Sequence, residues 1–101
     1  MDNVKRKSLE MYLKVSRNLQ DMSAKFESIG LRLWEGNLNS SKTVADDYVN
    51  ATDELVNGIW DVMELSPNEV GNFEDLTNRY IYGETDDLEE TINQLKLYWA
   101  R

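Results

Sequence analysis

The sequence predicts an all-α protein, a small four-helix domain in which a long antiparallel helical hairpin carries two shorter helices. Apolar residues recur three and four positions apart over most of the chain, the spacing of a helix with one buried face. Only one of the 101 residues is proline and five are glycine, so few positions interrupt a helix. The length suits one domain, residues 1–101, with one modest core.

The first helix is predicted over residues 3–34, because one apolar stripe runs along it without a proline. Gly36, Asn39 and Ser41 belong to a cluster of turn-forming residues that follows it. We therefore expect the hairpin connection there. The stripe consists of Tyr12, Val15, Leu19, Met22, Phe26, Ile29 and Leu33.

The second and third helices are predicted over residues 42–65 and 67–81. Ser41 is a suitable N-cap for the second helix. Ser66 and Glu69 have the spacing of a capping box, and Pro67 occupies the first helical position of the third helix. This signal ends one helix and begins the next.

The fourth helix is predicted over residues 86–99. Gly83 stops the preceding helix, Thr85 can cap the new one, and acids lie in its first turn, where they favour the helix dipole. Apolar residues then follow at helical spacing to the end of the chain. No β-strand is predicted.

Charge is distributed unevenly along the chain, whose net charge is -8. Residues 1–40 hold seven bases and five acids, a net charge of +2, whereas residues 41–101 hold four bases and fourteen acids, a net charge of -10. Ten of these acids lie in residues 61–90 beside a single base, Arg79. Such a segment disfavours nucleic acid and anionic membranes as ligands and favours a basic protein surface.

Composition argues against catalysis, because the chain contains neither cysteine nor histidine. This excludes thiolate nucleophiles, imidazole bases and the usual zinc ligands. We therefore predict no catalytic residues, no metal and no cofactor. The sequence shows neither a secretory signal nor a membrane span, so we expect a protein of the cytoplasm, or of the host cytoplasm if a phage encodes it.

The leading functional prediction is an acidic protein-binding module of the inhibitor, immunity or phage counter-defence kind, with nucleic-acid mimicry as one mode of action. It docks on a basic surface of a protein partner through acids and exposed aromatic side chains. The aromatic candidates are Tyr82 and Trp99. The acidic candidates are Asp61, Glu64, Glu74, Asp75, Glu84, Asp86, Asp87, Glu89 and Glu90.

A second interpretation starts from the Trp34-Glu35-Gly36 triplet at the predicted hairpin junction. It resembles the Trp-x-Gly motif of small helical hairpins exported by type VII secretion systems, which also carry a Tyr-x-x-x-Asp/Glu signal near the C-terminus. Tyr80 with Glu84, and Tyr82 with Asp86, match that signal. The resemblance implies a two-helix rod that dimerises. Pro67 and Gly83 depart from it, because they divide the second half of the chain.

A third interpretation rests on carboxylate pairs three residues apart, Asp61 with Glu64 and Glu84 with Asp87. Their spacing resembles the paired acidic motifs of all-α nucleotide pyrophosphatases of the MazG type, which implies Mg²⁺-dependent hydrolysis. That activity requires the carboxylates to converge in one pocket. A homodimer is compatible with all three interpretations, because the stripe of the first helix also suits a coiled-coil seam.

Overall fold

A computed structural model describes the backbone of residues 2–36 and 38–101 and the side chains of residues 3–25 and 51–101. The described chain is all-α and contains no strand, which confirms the predicted class. The described residues form five helices where the sequence predicts four. They are α1 (Asp2–Gly36), α2 (Leu38–Met63), α3 (Pro67–Ile81), α4 (Leu88–Gln94) and α5 (Lys96–Trp99).

Helix α1 is the element on which the others assemble, because α2, α3, α4 and α5 all contact it. Its core face is formed by Leu9, Tyr12 and Leu13, which are buried. The predicted stripe is therefore wrong in part. Val15 and Met22 belong to that stripe but are 40% and 47% exposed. The predicted and the observed core face of α1 both include Tyr12. They differ at the other positions because α1 has two apolar faces, and only one of them packs against the core.

Helix α2 begins earlier than predicted, at Leu38. Ser41 therefore lies inside the helix and is not its N-cap, so the prediction for this residue was wrong. Polar residues after Gly36 can belong to a helix, because intrinsic helix propensity is a weak constraint. Asn37 lies outside the described residues, as do the side chains of Trp34, Glu35, Phe26, Ile29 and Leu33.

The junction between α2 and α3 confirms the predicted capping box. Ser66 is the N-cap of α3 and Pro67 its first residue. The Glu69 carboxylate accepts hydrogen bonds from the Ser66 backbone N–H at 3.0 Å and from its hydroxyl at 3.1 Å. Helix α2 ends at Met63, and Glu64 adopts a positive φ of 53°. A residue in this left-handed conformation redirects the chain after a helix.

The predicted fourth helix is divided at Leu95 into α4 and α5. Leu95 is fully buried, and its φ and ψ of -92° and 6° depart from helical values. At this break the Ile92 carbonyl accepts a hydrogen bond from the Trp99 indole N–H at 2.8 Å. Asp87, not Thr85, is the N-cap of α4, so the predicted cap was wrong by two residues.

The core lies between α1 and the later helices and consists mainly of aliphatic and aromatic side chains. Phe73 of α3 is fully buried and meets the Tyr98 ring edge to face, with centroids 5.5 Å apart. Among the described residues, no helix is long and apolar enough to cross a membrane. The buried apolar residues are Leu9, Tyr12, Leu13, Ile59, Met63, Phe73, Tyr80, Ile81, Ile92, Leu95 and Tyr98.

Candidate partner-binding site

Three of the nine candidate acids are paired with basic residues of α1. Glu89 accepts a charged hydrogen bond from Arg6 at 3.1 Å, and a Glu64 carboxylate oxygen lies 3.9 Å from Lys5 Nζ. Asp86 pairs with Arg17. The basic first helix therefore neutralises part of the acidic segment within the same molecule. We call Glu64, Asp86 and Glu89 the paired acids.

Arg17 makes the most extensive of these contacts. Its guanidinium donates to the Thr85 carbonyl at 3.3 Å and to the Asp86 carboxylate, and it stacks over the Tyr80 ring at 4.7 Å. A hydrogen bond and an ion pair thus attach the loop before α4 to α1, and the cation–π contact joins α1 to α3. Asp86 contributes to the fold through this fastening.

Of two further candidate acids, one caps a helix and the other lies beside the core. Asp87 caps α4, because its side chain accepts a hydrogen bond from the Glu90 backbone N–H at 3.0 Å. Glu74 is half-buried on α3 and near Tyr12. Burial raises the pKa of the Tyr12 hydroxyl, and the Glu74 carboxylate raises it further. Glu74 therefore lies beside a core side chain and not in the open.

A second charged network joins the end of the chain to the α2–α3 junction. Arg101 donates to the carbonyls of Met63 and Glu64, both at 2.9 Å, and to the Glu69 carboxylate at 2.6 Å. Arg101, assisted by Ser66, lowers the pKa of Glu69 from 4.5 to about 2. Unpaired carbonyls at the end of α2 are thereby satisfied.

Three of the remaining candidates, Asp75, Tyr82 and Glu84, meet at the C-terminal end of α3, where an open groove of about 330 Å³ lies beside Tyr82. Tyr82 is the C-cap of α3 and is 61% exposed, as the sequence predicts. Because every residue lining the groove is exposed, its shape suits a protein surface better than an enclosed small molecule. We call it the tyrosine groove. It is lined by Asp75, Asn78, Arg79, Tyr82 and Glu84.

The carboxylates of the tyrosine groove differ from the paired acids in having no ion-pair partner. Asp75 and Glu84 are exposed, and neither lies within ion-pairing distance of a base among the described residues. Arg79 also lacks an ion pair in this part of the chain. The groove therefore presents two free carboxylates and one guanidinium around an exposed tyrosine ring.

Sequence reasoning selected Asp75, Tyr82 and Glu84 but missed Asn78 and Arg79 as their neighbours. The signal was available, because positions 75, 78, 79 and 82 have the i, i+3, i+4, i+7 spacing of one helical face. Gly83, with a φ of 79°, then turns the chain so that Glu84 joins them. This helical face therefore carries a base and an amide as well as acids.

The other predicted contacts are placed elsewhere. Trp99 is half-buried rather than exposed: it packs against the core, and Arg6 lies over its ring at 5.9 Å. Asp61 and Glu90 are exposed on α2 and α4, outside the tyrosine groove. Across the side chains that the structure describes, no group of three or more acids is arranged to hold a metal ion.

Comparisons of the whole chain with models of known protein families, with curated proteins and with solved structures found no match.

Proposed function

We propose that this chain is a non-enzymatic protein-binding module that docks its tyrosine groove on a basic surface of a partner protein. The observation that carries the proposal is the position of Tyr82, 61% exposed beside two carboxylates that form no ion pair among the described residues. Tyrosine is enriched among the residues that dominate interface energies, and free carboxylates favour a partner rich in lysine and arginine.

The proposed biological role is that of an inhibitor or immunity protein, including the counter-defence proteins of phages, acting in the cytoplasm. A negative surface competes with phosphates for a cationic channel, so the partner would be an enzyme or receptor with such a channel. Arg79 restricts the choice, because the partner must also offer an acceptor for its guanidinium. This feature distinguishes the groove from a uniformly negative imitation of nucleic acid.

The partner can be identified by photo-crosslinking in the native host. A photoreactive phenylalanine analogue replaces Tyr82 in one variant and Leu97, another exposed apolar residue, in the control. We expect one protein to be crosslinked from position 82 and not from position 97. Equal crosslinking from both positions would place the contact elsewhere.

Direct binding of the purified partner then tests the groove. Tyr82→Ala should raise Kd by about 30-fold, the effect of losing about 2 kcal/mol at an interface hot spot. Asp75→Lys with Glu84→Lys should weaken binding and reduce its dependence on salt. The matched control is Asp61→Lys with Glu90→Lys, which changes net charge equally outside the groove. If the control weakens binding as much, overall charge and not the groove attracts the partner.

A further inference from the structure

The turn between α3 and α4 carries two side chains of the tyrosine groove, Tyr82 and Glu84. Both side chains are exposed, and Glu84 forms no ion pair among the described residues. Gly83 lies between them with a φ of 79°, and a Cβ added there would meet nothing within 4 Å. The middle of the turn therefore has little packing of its own, and its position depends on the residues at its two ends.

Arg17 of α1 contacts the chain at both ends of this turn. Its guanidinium lies 4.7 Å from the centre of the Tyr80 ring, in the last turn of α3. After the turn, the same guanidinium donates to the Thr85 carbonyl at 3.3 Å and pairs with the Asp86 carboxylate. None of these four residues lines the groove. Arg17 thus bridges the two ends of the turn without occupying the surface that the groove offers to a partner.

Thr85 transmits this contact to Glu84, which precedes it. Thr85 is half-buried, and its backbone N–H donates to the Arg79 carbonyl at 3.2 Å while its carbonyl accepts from Arg17. Its hydroxyl accepts a hydrogen bond from the Asp87 N–H at 3.2 Å. The bonds to Arg79 and Asp87 are local, whereas the bond from Arg17 ties the turn to another helix.

These contacts suit positioning better than they suit global stability. Asp86 is 87% exposed, so its ion pair with Arg17 is screened by solvent and contributes little to the free energy of unfolding. The buried side chains of α1 belong to other positions. Loss of the guanidinium should therefore loosen the turn before it loosens the core.

We propose that Arg17 is a positioning residue of the tyrosine groove, which holds the turn so that Glu84 stays beside Tyr82. The inference rests on the proposed function for its consequence, because it makes a residue of α1 necessary for tight binding at a surface formed by α3 and the turn. A carboxylate that is already held in place loses less conformational entropy when a partner binds it than a mobile one does. Asp75 needs no such support, because helix α3 fixes its backbone.

Amide hydrogen exchange of the full chain, followed by NMR, tests the positioning without any partner. Arg17→Met removes the guanidinium and keeps an apolar stem, and it should accelerate exchange of the Thr85 amide by about tenfold, the effect of losing one charged hydrogen bond. The Glu69 amide, which donates to the Ser66 carbonyl at 2.9 Å in another junction, should keep its rate. Equal acceleration of both amides, or no acceleration at Thr85, overturns the proposal.

Two further variants separate the contact from its charge. Lys14→Met removes the same charge from α1, but Lys14 binds Glu10 of its own helix, so exchange at Thr85 should not change. Arg17→Lys keeps a donor for the Thr85 carbonyl and should restore part of the protection that Arg17→Met removes. If Lys14→Met accelerates exchange at Thr85 as much as Arg17→Met does, net charge controls the turn and the proposal is wrong.

The consequence for binding is measured with the protein that is crosslinked from position 82. Glu84→Ala should raise the Kd of the purified pair by about two- to fivefold in the parent chain, the range for one exposed charge contact, and by less in Arg17→Met. Asp75→Ala should raise it by the same factor in both backgrounds. An equal effect of Glu84→Ala in both backgrounds overturns the proposal. Failure of Asp75→Ala and Glu84→Ala to change Kd contradicts the proposed function instead, and exchange at Thr85 then decides alone whether Arg17 holds the turn.

Discussion

The paired acids and the acids of the tyrosine groove come from the same acidic segment, yet their surroundings differ. Glu64, Asp86 and Glu89 form ion pairs with Lys5, Arg17 and Arg6 of α1, whereas Asp75 and Glu84 form no ion pair in the described part of the chain. Acidic residues close together in sequence can thus have separate roles. One group attaches the later helices to α1, and the other is available to a partner.

This difference changes which residues are suitable for testing partner binding. Charge reversal around α4 removes the ion pairs of Asp86 and Glu89 and the cap of Asp87. Lost binding in such a variant could therefore result from a damaged fold. Asp75, Tyr82 and Glu84 avoid this ambiguity, because none of their side chains forms an ion pair or a cap in the described structure.

The largest expected effect contrasts two aromatic residues, Phe73 within α3 and Tyr82 at its C-cap. Phe73 is fully buried and Tyr82 is 61% exposed. Phe73→Ala should lower the free energy of unfolding by about 3–5 kcal/mol, because it leaves a cavity in the core. Tyr82→Ala should change it by less than about 0.5 kcal/mol, as surface substitutions usually do. Urea unfolding measures both, and a large loss in Tyr82→Ala would make the groove a structural element.

The next effect concerns the helix cap. Asp87→Ala should lower the free energy of unfolding by about 1 kcal/mol, because the Glu90 N–H loses its acceptor. Glu84→Ala, three residues earlier, should change it by less than about 0.5 kcal/mol. Thermal unfolding of the two variants gives the comparison. Equal losses would remove the distinction between structural and available acids in this loop.

Acid pH should act on the network of Arg101 and Glu69. The folded-state pKa of Glu69 is about 2, against 4.5 for the unconstrained group. A lowered pKa stabilises the folded state above pH 4.5, and this contribution is lost as the pH falls from 4.5 towards about 2. Glu69→Gln should therefore flatten the decline of stability across that window. An unchanged pH profile in this variant would contradict the ion pair with Arg101.

The smallest expected effect is the coupling between Arg6 and Glu89. A double-mutant cycle with alanine at both positions should give about 0.2–1 kcal/mol, the range for a pair as exposed as this one. The same cycle for Arg79 and Glu84, which line the groove without forming an ion pair, should give a coupling near zero. A larger coupling in the groove than at Arg6 and Glu89 would reverse the assignment of paired and free acids.

The fold could be predicted from the sequence where neighbouring residues together mark the end or the beginning of a helix. The capping box at Ser66 and Glu69 and the stop at Gly83 depend on neighbouring residues, and the structure contains both. The division at Leu95 was not predictable in this way. There the Trp99 indole binds the Ile92 carbonyl, and the sequence around Leu95 contains no glycine or proline to mark the break.

The candidate site was only partly predictable for a related reason. Composition places ten acids in residues 61–90 but does not show that Arg6 and Arg17 approach them from a helix more than 60 residues away in sequence. The exposure of individual aromatic side chains was equally difficult to predict from the sequence. Tyr82 and Trp99 are both aromatic residues near helix ends, yet the Trp99 indole of α5 donates to a carbonyl of α4, whereas Tyr82 is exposed to solvent.

The most direct test compares two double charge reversals by their free energy of unfolding in urea. Asp86→Lys with Glu89→Lys and Asp75→Lys with Glu84→Lys each change the formal net charge from -8 to -4. The first variant should be less stable than the parent protein, because it places lysines against Arg17 and Arg6. The second should be close to the parent in stability, because Asp75 and Glu84 form no ion pair and the lower net charge offsets the repulsion between the new lysines and Arg79. Equal stabilities, or the reverse order, would contradict the division between paired acids and the tyrosine groove.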